Sequence, residues 1–311
     1  MEDQMFKQPL TRHHFLKIVG AATAVPFVSP GTVWAAKAPI ITKAIPKSGE
    51  KLPVIGLGTA SSFASSQDAE ARKEVIKTLL DKGATLIDTA PSYAQAEEVT
   101  GNILQELRAT KKTFLATKVR VEGRDNGITS FKASLEKLKT DKIDLMQIHN
   151  LVDTSTHLAT MREWKKKGTF RYIGITHWQP DQQEKLADVM AKEDLDFVQF
   201  NYSVDVRDPE KTLLPLARDK GIAVLVNVPL GRGKLLEAVK GKDVPTWAKE
   251  ELGCESFAQM LLKFVVSHPA VTVAIPATSK AKHMADNVGA AYGRLPNEKE
   301  RQKIAEFWAN V

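Results

Sequence analysis

The chain has 311 residues, 43% of them hydrophobic, a formal charge of +7 and a single cysteine. That is enough apolar material for one large domain with its own core, and one cysteine excludes any intrachain disulfide. Basic and acidic side chains are interspersed, as in Glu70-Ala-Arg-Lys-Glu74 and Lys137-Leu-Lys-Thr-Asp-Lys142, which reads as solvated helix faces rather than a nucleic-acid patch and leaves an anionic small ligand open.

Residues 1–38 stand apart. Thr11-Arg-His-His-Phe-Leu-Lys17 gives a basic start, an apolar stretch follows from Ile18, and small residues around Ala35 and Ala36 suit cleavage. The pattern resembles a twin-arginine export signal with His13 in place of the second arginine, and it implies a periplasmic protein. Without a functioning signal the chain would stay cytoplasmic. Pro26 and Pro30 interrupt the apolar stretch and argue against a stable membrane helix, and no later segment is apolar enough for one. A chain with only Cys254 suits folding in a reducing compartment before export.

Beyond the leader, 40–46 and 51–55 read as two strands about a Lys47-Ser-Gly-Glu50 turn, an entry hairpin. Strand and helix patterns then alternate. Val54-Ile-Gly-Leu-Gly58 precedes a helix over 69–82, and Ala84-Thr-Leu-Ile-Asp88 one over 97–107. The strand ending at Lys118 precedes a helix over 128–138, and the strand ending at His149 one over 158–167. Further strands over 171–175, 197–201, 223–227 and 271–275 precede helices over 182–192, 210–220, 257–267 and 282–291. Eight such units predict an α/β (β/α)8 TIM barrel over 39–311, with a last helix over 298–308 outside it. The seventh connection, 228–255, is long for such a unit and marks a functional loop.

Asp88, Lys118 and His149 fall at strand ends and Tyr93 just after one, so a parallel barrel gathers them on the rim where such folds do chemistry. An ammonium beside a phenol makes it a better proton donor, which suits Lys118 to Tyr93. Asp88 would hold the lysine, and His149 would orient a carbonyl oxygen or share in its protonation. The four together fit a site that protonates a carbonyl while another group delivers hydride. No His, Cys and carboxylate cluster has the spacing of a metal site.

The pattern resembles the aldo/keto reductase family. The stretches that carry it are Ile55-Gly-Leu-Gly-Thr59, Asp88-Thr-Ala-Pro-Ser-Tyr93, Thr117-Lys118, Gln147-Ile-His149, Tyr172-Ile-Gly-Ile-Thr176, Val198-Gln-Phe-Asn-Tyr202, Pro229-Leu-Gly231 and Ile275-Pro-Ala-Thr278. The resemblance implies reduction of a small aldehyde or ketone with NADPH, NADH being the other choice. It makes Tyr93 the acid, Lys118 and Asp88 its tuning pair and His149 the orienting residue. It places Thr176, His177 and Gln199 at the nicotinamide, with Thr59, Asp88 and Asn227 beside them. Leu230, Gly231 and Arg232 would close over the pyrophosphate, while Ala277, Thr278, Lys280, His283 and Asn287 would meet the adenosine end. Asn150 and Trp178 would shape the substrate pocket.

The chain departs from the family pattern in three places. His177 stands where asparagine is common, and Asn227 where an aromatic ring often stacks on the nicotinamide, leaving Trp178 as a substitute. Ala277 and His283 replace a lysine and an arginine that favour the phosphorylated cofactor. The same scaffold also admits a second role, a cofactor-binding sensor or interaction protein with little turnover.

Overall fold

The computed structural model describes residues 39–311, so the export signal expected over 1–38 lies outside the described residues. Strands β1 (Thr42–Ala44) and β2 (Lys51–Pro53) form the expected hairpin, antiparallel with Lys43 opposite Leu52. The hairpin's turn is tied by the Ile45 N–H, which donates to Glu50 O at 2.8 Å.

Eight strands follow: β3 (Leu57–Gly58), β4 (Leu86–Asp88), β5 (Phe114–Val119), β6 (Ile143–His149), β7 (Phe170–His177), β8 (Phe197–Asn201), β9 (Ala223–Asn227) and β10 (Val271–Ala274). They lie in sequence order and pair in parallel. Parallel bridges Ile55–Ala274 and Gly58–Ala277 join the first to the last. The result is a (β/α)8 barrel, because each crossover lays a helix on the outside.

Helices α1 (Ala69–Asp81), α2 (Ala96–Glu106), α3 (Arg124–Lys137), α4 (Thr154–Lys166), α5 (Gln183–Lys192) and α6 (Leu213–Asp219) follow β3 to β8 in turn. The connection after β9 differs from the sequence expectation of a long loop. It contains α7 (Lys234–Ala238) and α8 (Thr246–Leu252), only five and seven residues long, too short for a helical period to declare itself. Next come α9 (Phe257–Ser267), α10 (Ala281–Gly289) after β10, and α11 (Glu298–Ala309), which starts at a capping box between Asn297 and Glu300. The helix expected over 210–220 begins only at Leu213, because Pro209 sits in a tight turn at Asp208–Glu210 first.

Two apolar layers hold the barrel. The outer one lies between strands and helices, where α9 buries ten of its eleven residues. The inner one fills the lower half of the barrel with Leu86, Phe114, Leu145, Tyr172 and Phe197, and Ile45 and Leu52 of the hairpin segment belong to the same cluster. Lys43 fastens the hairpin by donating to His268 O and Val271 O, each at 2.7 Å. Among the described residues no helix is long and apolar enough to cross a membrane.

Candidate active site

Side chains alternate in and out along a strand, so the residue two places after a floor residue also points inward, nearer the rim. Above Leu86 that residue is Asp88, above Leu145 it is Gln147 and then His149, and above Phe197 it is Gln199. Register aligns them: Lys118 faces Gln147, His149 faces Thr176, and Thr176 faces Gln199. An apolar floor and a polar rim therefore come from one alternation.

Asp88 is the hub. Its Oδ2 accepts from Lys118 Nζ at 2.5 Å, and its Oδ1 accepts from Gln147 Nε2 at 3.0 Å and Gln199 Nε2 at 2.9 Å. Lys118 also donates to Thr89 O at 2.9 Å. The Gln199 Oε1 accepts from Thr176 Oγ1 and Asn227 Nδ2, both at 3.2 Å. Lys118 and Asp88 are 1% and 3% exposed, and such burial is tolerable only because each charge is paired and hydrogen-bonded. Burial pulls the Lys118 pKa down, but Asp88 foremost, with Tyr93, outweighs it, and the net shift is upward.

Tyr93 lies on the turn after β4, held by its N–H to Ala90 O at 3.0 Å. The Lys118 ammonium sits 4.9 Å from the centre of its ring, and His149 meets the ring edge-on at 5.7 Å. Ser92 Oγ lies 3.2 Å from His149 Nδ1. Burial, then the charges of Lys118 and Arg120, push the His149 imidazole down to about 3. It is neutral at physiological pH, with Ser92 occupying one ring nitrogen.

A cavity of about 520 Å³ opens on these groups. Of the residues expected from the sequence, Asp88, Tyr93 and His149 line it, with Thr59, Thr176, Gln199 and Asn227. So do Leu230, Arg232, Ala277, Asn150 and Trp178. Lys118 is not on the wall and lies against Asp88 and the Tyr93 ring. His177, Gly231, Thr278, Lys280, His283 and Asn287 do not line the cavity. His177 follows Thr176 on β7 and faces the opposite side, its Nδ1 accepting from the Gln179 N–H at 3.3 Å. The Gly231 N–H is used within its own turn, on Val228 O at 3.0 Å. Thr278 Oγ1 accepts from the Lys280 N–H at 3.1 Å just before α10, the helix that carries exposed His283 and buried Asn287.

Three site residues escaped the sequence reading. Gln147 is a polar residue inside an apolar strand, two places before His149, and that parity was the available signal. Arg120 lies two places after Lys118 and lines the cavity with Ser92. Ser92, on a turn, carries no such signal. Across the mouth, the Arg232 guanidinium sits 4.2 Å from the centre of the Trp178 ring, with Arg232 at φ 56 in the left-handed region. Among the described residues no group of three or more His, Cys, Asp and Glu could hold a metal ion.

The chain is similar to the aldo-keto reductase YhdN of Bacillus subtilis, 32% identical over 209 residues that make up 61% of this chain and 62% of that one. It is also similar to the methylglyoxal reductase YeaE of Escherichia coli, 31% identical over 255 residues, 79% of this chain and 88% of the relative. A solved aldo/keto reductase of Klebsiella pneumoniae, in complex with NADP and acetate, shares the fold with a TM-score of 0.74 and 24% identity, covering 86% of this chain and 96% of that one. The sequence pattern of the aldo/keto reductase family matches residues 54–308, from the first barrel strand to the final helix. With the rim cluster set on the strands of that barrel, the chain belongs to the aldo/keto reductase family.

Proposed function

We propose that the chain reduces an aldehyde or ketone to an alcohol with a nicotinamide dinucleotide, and that Tyr93 supplies the proton. The observation that carries this reading is the buried Lys118–Asp88 pair set against the Tyr93 ring beside the cavity. The cavity wall suits the nicotinamide and pyrophosphate of such a cofactor. It extends past the reacting groups to Leu230, Arg232 and Ala277, and its wall includes Asn227, whose Oδ1 is a buried acceptor with no partner among the described residues. Thr176, Gln199 and Asn227 offer the amide and hydroxyl groups that recognise a carboxamide, and Arg232 supplies charge for phosphate.

When bound, the reduced dinucleotide supplies hydride to the carbonyl carbon. The Tyr93 O–H bond breaks as a new O–H bond forms on the substrate oxygen. Lys118 stabilises the phenolate charge that develops, and Asp88 fixes the ammonium in place. The neutral His149, with the Ser92 hydroxyl donating to Nδ1, presents its Nε2–H to the carbonyl oxygen and orients it. Water returns a proton to Tyr93 after product leaves.

Ala277 and the exposed His283 offer no permanent charge at the adenosine end, and the partial desolvation of the ring, with Lys280 and Lys282 nearby, lowers the His283 pKa. Lys280, Lys282 and Arg72, which donates to Ser279 O at 3.2 Å, are then the cations near a 2′-phosphate, and NADPH is the expected cofactor with a modest margin over NADH. The test is Tyr93→Phe, followed by NADPH consumption with 4-nitrobenzaldehyde. The expected outcome is a loss of about a hundredfold or more in kcat; undiminished turnover overturns the assignment. Cofactor binding by the unaltered protein, without turnover on any carbonyl, supports the sensor role instead.

A further inference from the structure

The reductase reading leaves one cavity charge unused. Arg120 directly follows β5 and shares the cavity wall with Tyr93, His149 and Asn150. Most described arginines are ion-paired, among them Arg124 with Glu163, Arg162 with Glu193 and Arg294 with Glu300. Arg120 has no such partner and no side-chain hydrogen bond among the described residues. Among the described residues the only carboxylate on the cavity wall is Asp88, and its oxygens already accept from Lys118, Gln147 and Gln199. The Asp88–Lys118 pair is neutral as a unit, so Arg120 leaves this part of the wall with a net positive charge.

Asn150 adds a second free group. It follows His149 in the left-handed region at φ 55, with its own N–H donating to Thr176 O at 2.8 Å. Its side-chain amide makes no hydrogen bond among the described residues, and the Oδ1 is buried. An amide rotates readily to present N–H in place of C=O. The half-buried Asn150 amide and the exposed, unpaired Arg120 guanidinium share one cavity wall and leave donors free for an acceptor that a ligand brings. Arg120 is close enough to the reacting groups that its charge contributes to the lowered pKa values of His149 and His177.

Building on the reductase reading, we propose that the carbonyl substrate carries a carboxylate, which Arg120 holds as a charge-assisted pair while Asn150 donates to it from beside His149. Arg120 is exposed at the cavity, and its guanidinium fork matches the two oxygens of a carboxylate. A substrate anchored this way has its carbonyl delivered to Tyr93 and His149 by its opposite end. The class is therefore oxo acids and carboxylate-bearing aldehydes, in preference to neutral aldehydes of the same shape.

The experiment uses the full chain with NADPH and compares 2-, 3- and 4-carboxybenzaldehyde with their methyl esters, which sample three distances between charge and carbonyl. At least one acid is expected to exceed its ester about tenfold or more in kcat/KM, and Arg120→Met should lower that acid-to-ester ratio on the order of thirtyfold. Equal use of acids and esters, or a fall in Arg120→Met that strikes both alike, overturns the proposal. Loss of NADPH affinity in Arg120→Met, with the ratio intact, assigns Arg120 to the cofactor and overturns it too. Benzoate binding to the NADPH complex of Tyr93→Phe, set against benzamide, reads charge recognition without turnover. Benzoate preference that Arg120→Met abolishes supports the charge site even where every carbonyl fails to react, an outcome that strikes the reductase reading; absence of any preference overturns the site.

Discussion

Lys118 and Asp88 meet across adjacent strands at 2.5 Å with both side chains almost wholly out of solvent. Breaking one half of such a pair is worse than removing both, because the survivor stays buried and uncompensated. Lys118→Met should cost roughly 3 kcal/mol in urea unfolding and lower kcat about a hundredfold or more. The double replacement Lys118→Met with Asp88→Leu should regain most of the stability and none of the turnover. Equal stability of the single and double variants would refute this account.

Gln147 does not line the cavity but donates to Asp88 and accepts from Gln199 Nε2 at 3.1 Å. Gln147→Leu removes one Asp88 donor and one acceptor for Gln199. A loss of about 1 to 2 kcal/mol in stability is expected from the unmet groups. Because Gln199 is also freed, cofactor affinity should weaken by a few fold, read by fluorescence titration.

The pH dependence of folding has a definite sign. Burial holds His149 down at about 3 and His268 at about 4, both below the ordinary value for an unfolded chain, about 6.5. Between those limits the unfolded chain binds protons that the folded chain refuses, so stability falls as pH drops below about 6.5. Urea midpoints should decline from pH 7 to pH 5, and His268→Gln should flatten that decline. For the same reason kcat/KM should show no inflection near pH 6.5 from His149.

Trp178 and Arg232 face each other from the loops after β7 and β9 and both line the mouth of the cavity. The ring restrains the guanidinium, a contact worth on the order of 0.5 to 1 kcal/mol at an exposed site. Trp178→Leu should therefore raise the cofactor dissociation constant about fivefold, mainly through faster release, measurable by stopped-flow fluorescence. An unchanged release rate would leave the stacking without a role in retention.

Much of this architecture was readable before any coordinates. Strands β4 to β10 are buried on both faces and so appear as short apolar runs, and the helices between them carry period-3.6 faces. The rim residues stood out because polar groups closing apolar runs have few other uses. What stayed hidden has physical reasons as well. Helices α7 and α8 are shorter than a detectable period, Ser92 sits on a turn, and Arg120 lies one residue beyond the end of β5, where strand alternation no longer fixes a direction. Gln147 was visible by parity with His149, and the same parity places His177 on the far side of β7 from Thr176.

The closing bridges between Ile55 and Ala274 and between Gly58 and Ala277 join residues roughly 220 positions apart. The cavity wall includes Gly58 and Ala277 themselves. A ribosome must therefore deliver nearly the entire chain before the ligand pocket exists. Until that moment the nascent polypeptide presents an unclosed sheet whose outermost strands lack their partners, the condition that invites aggregation and chaperone capture. Truncation within the last strand should accordingly abolish ligand binding and solubility together.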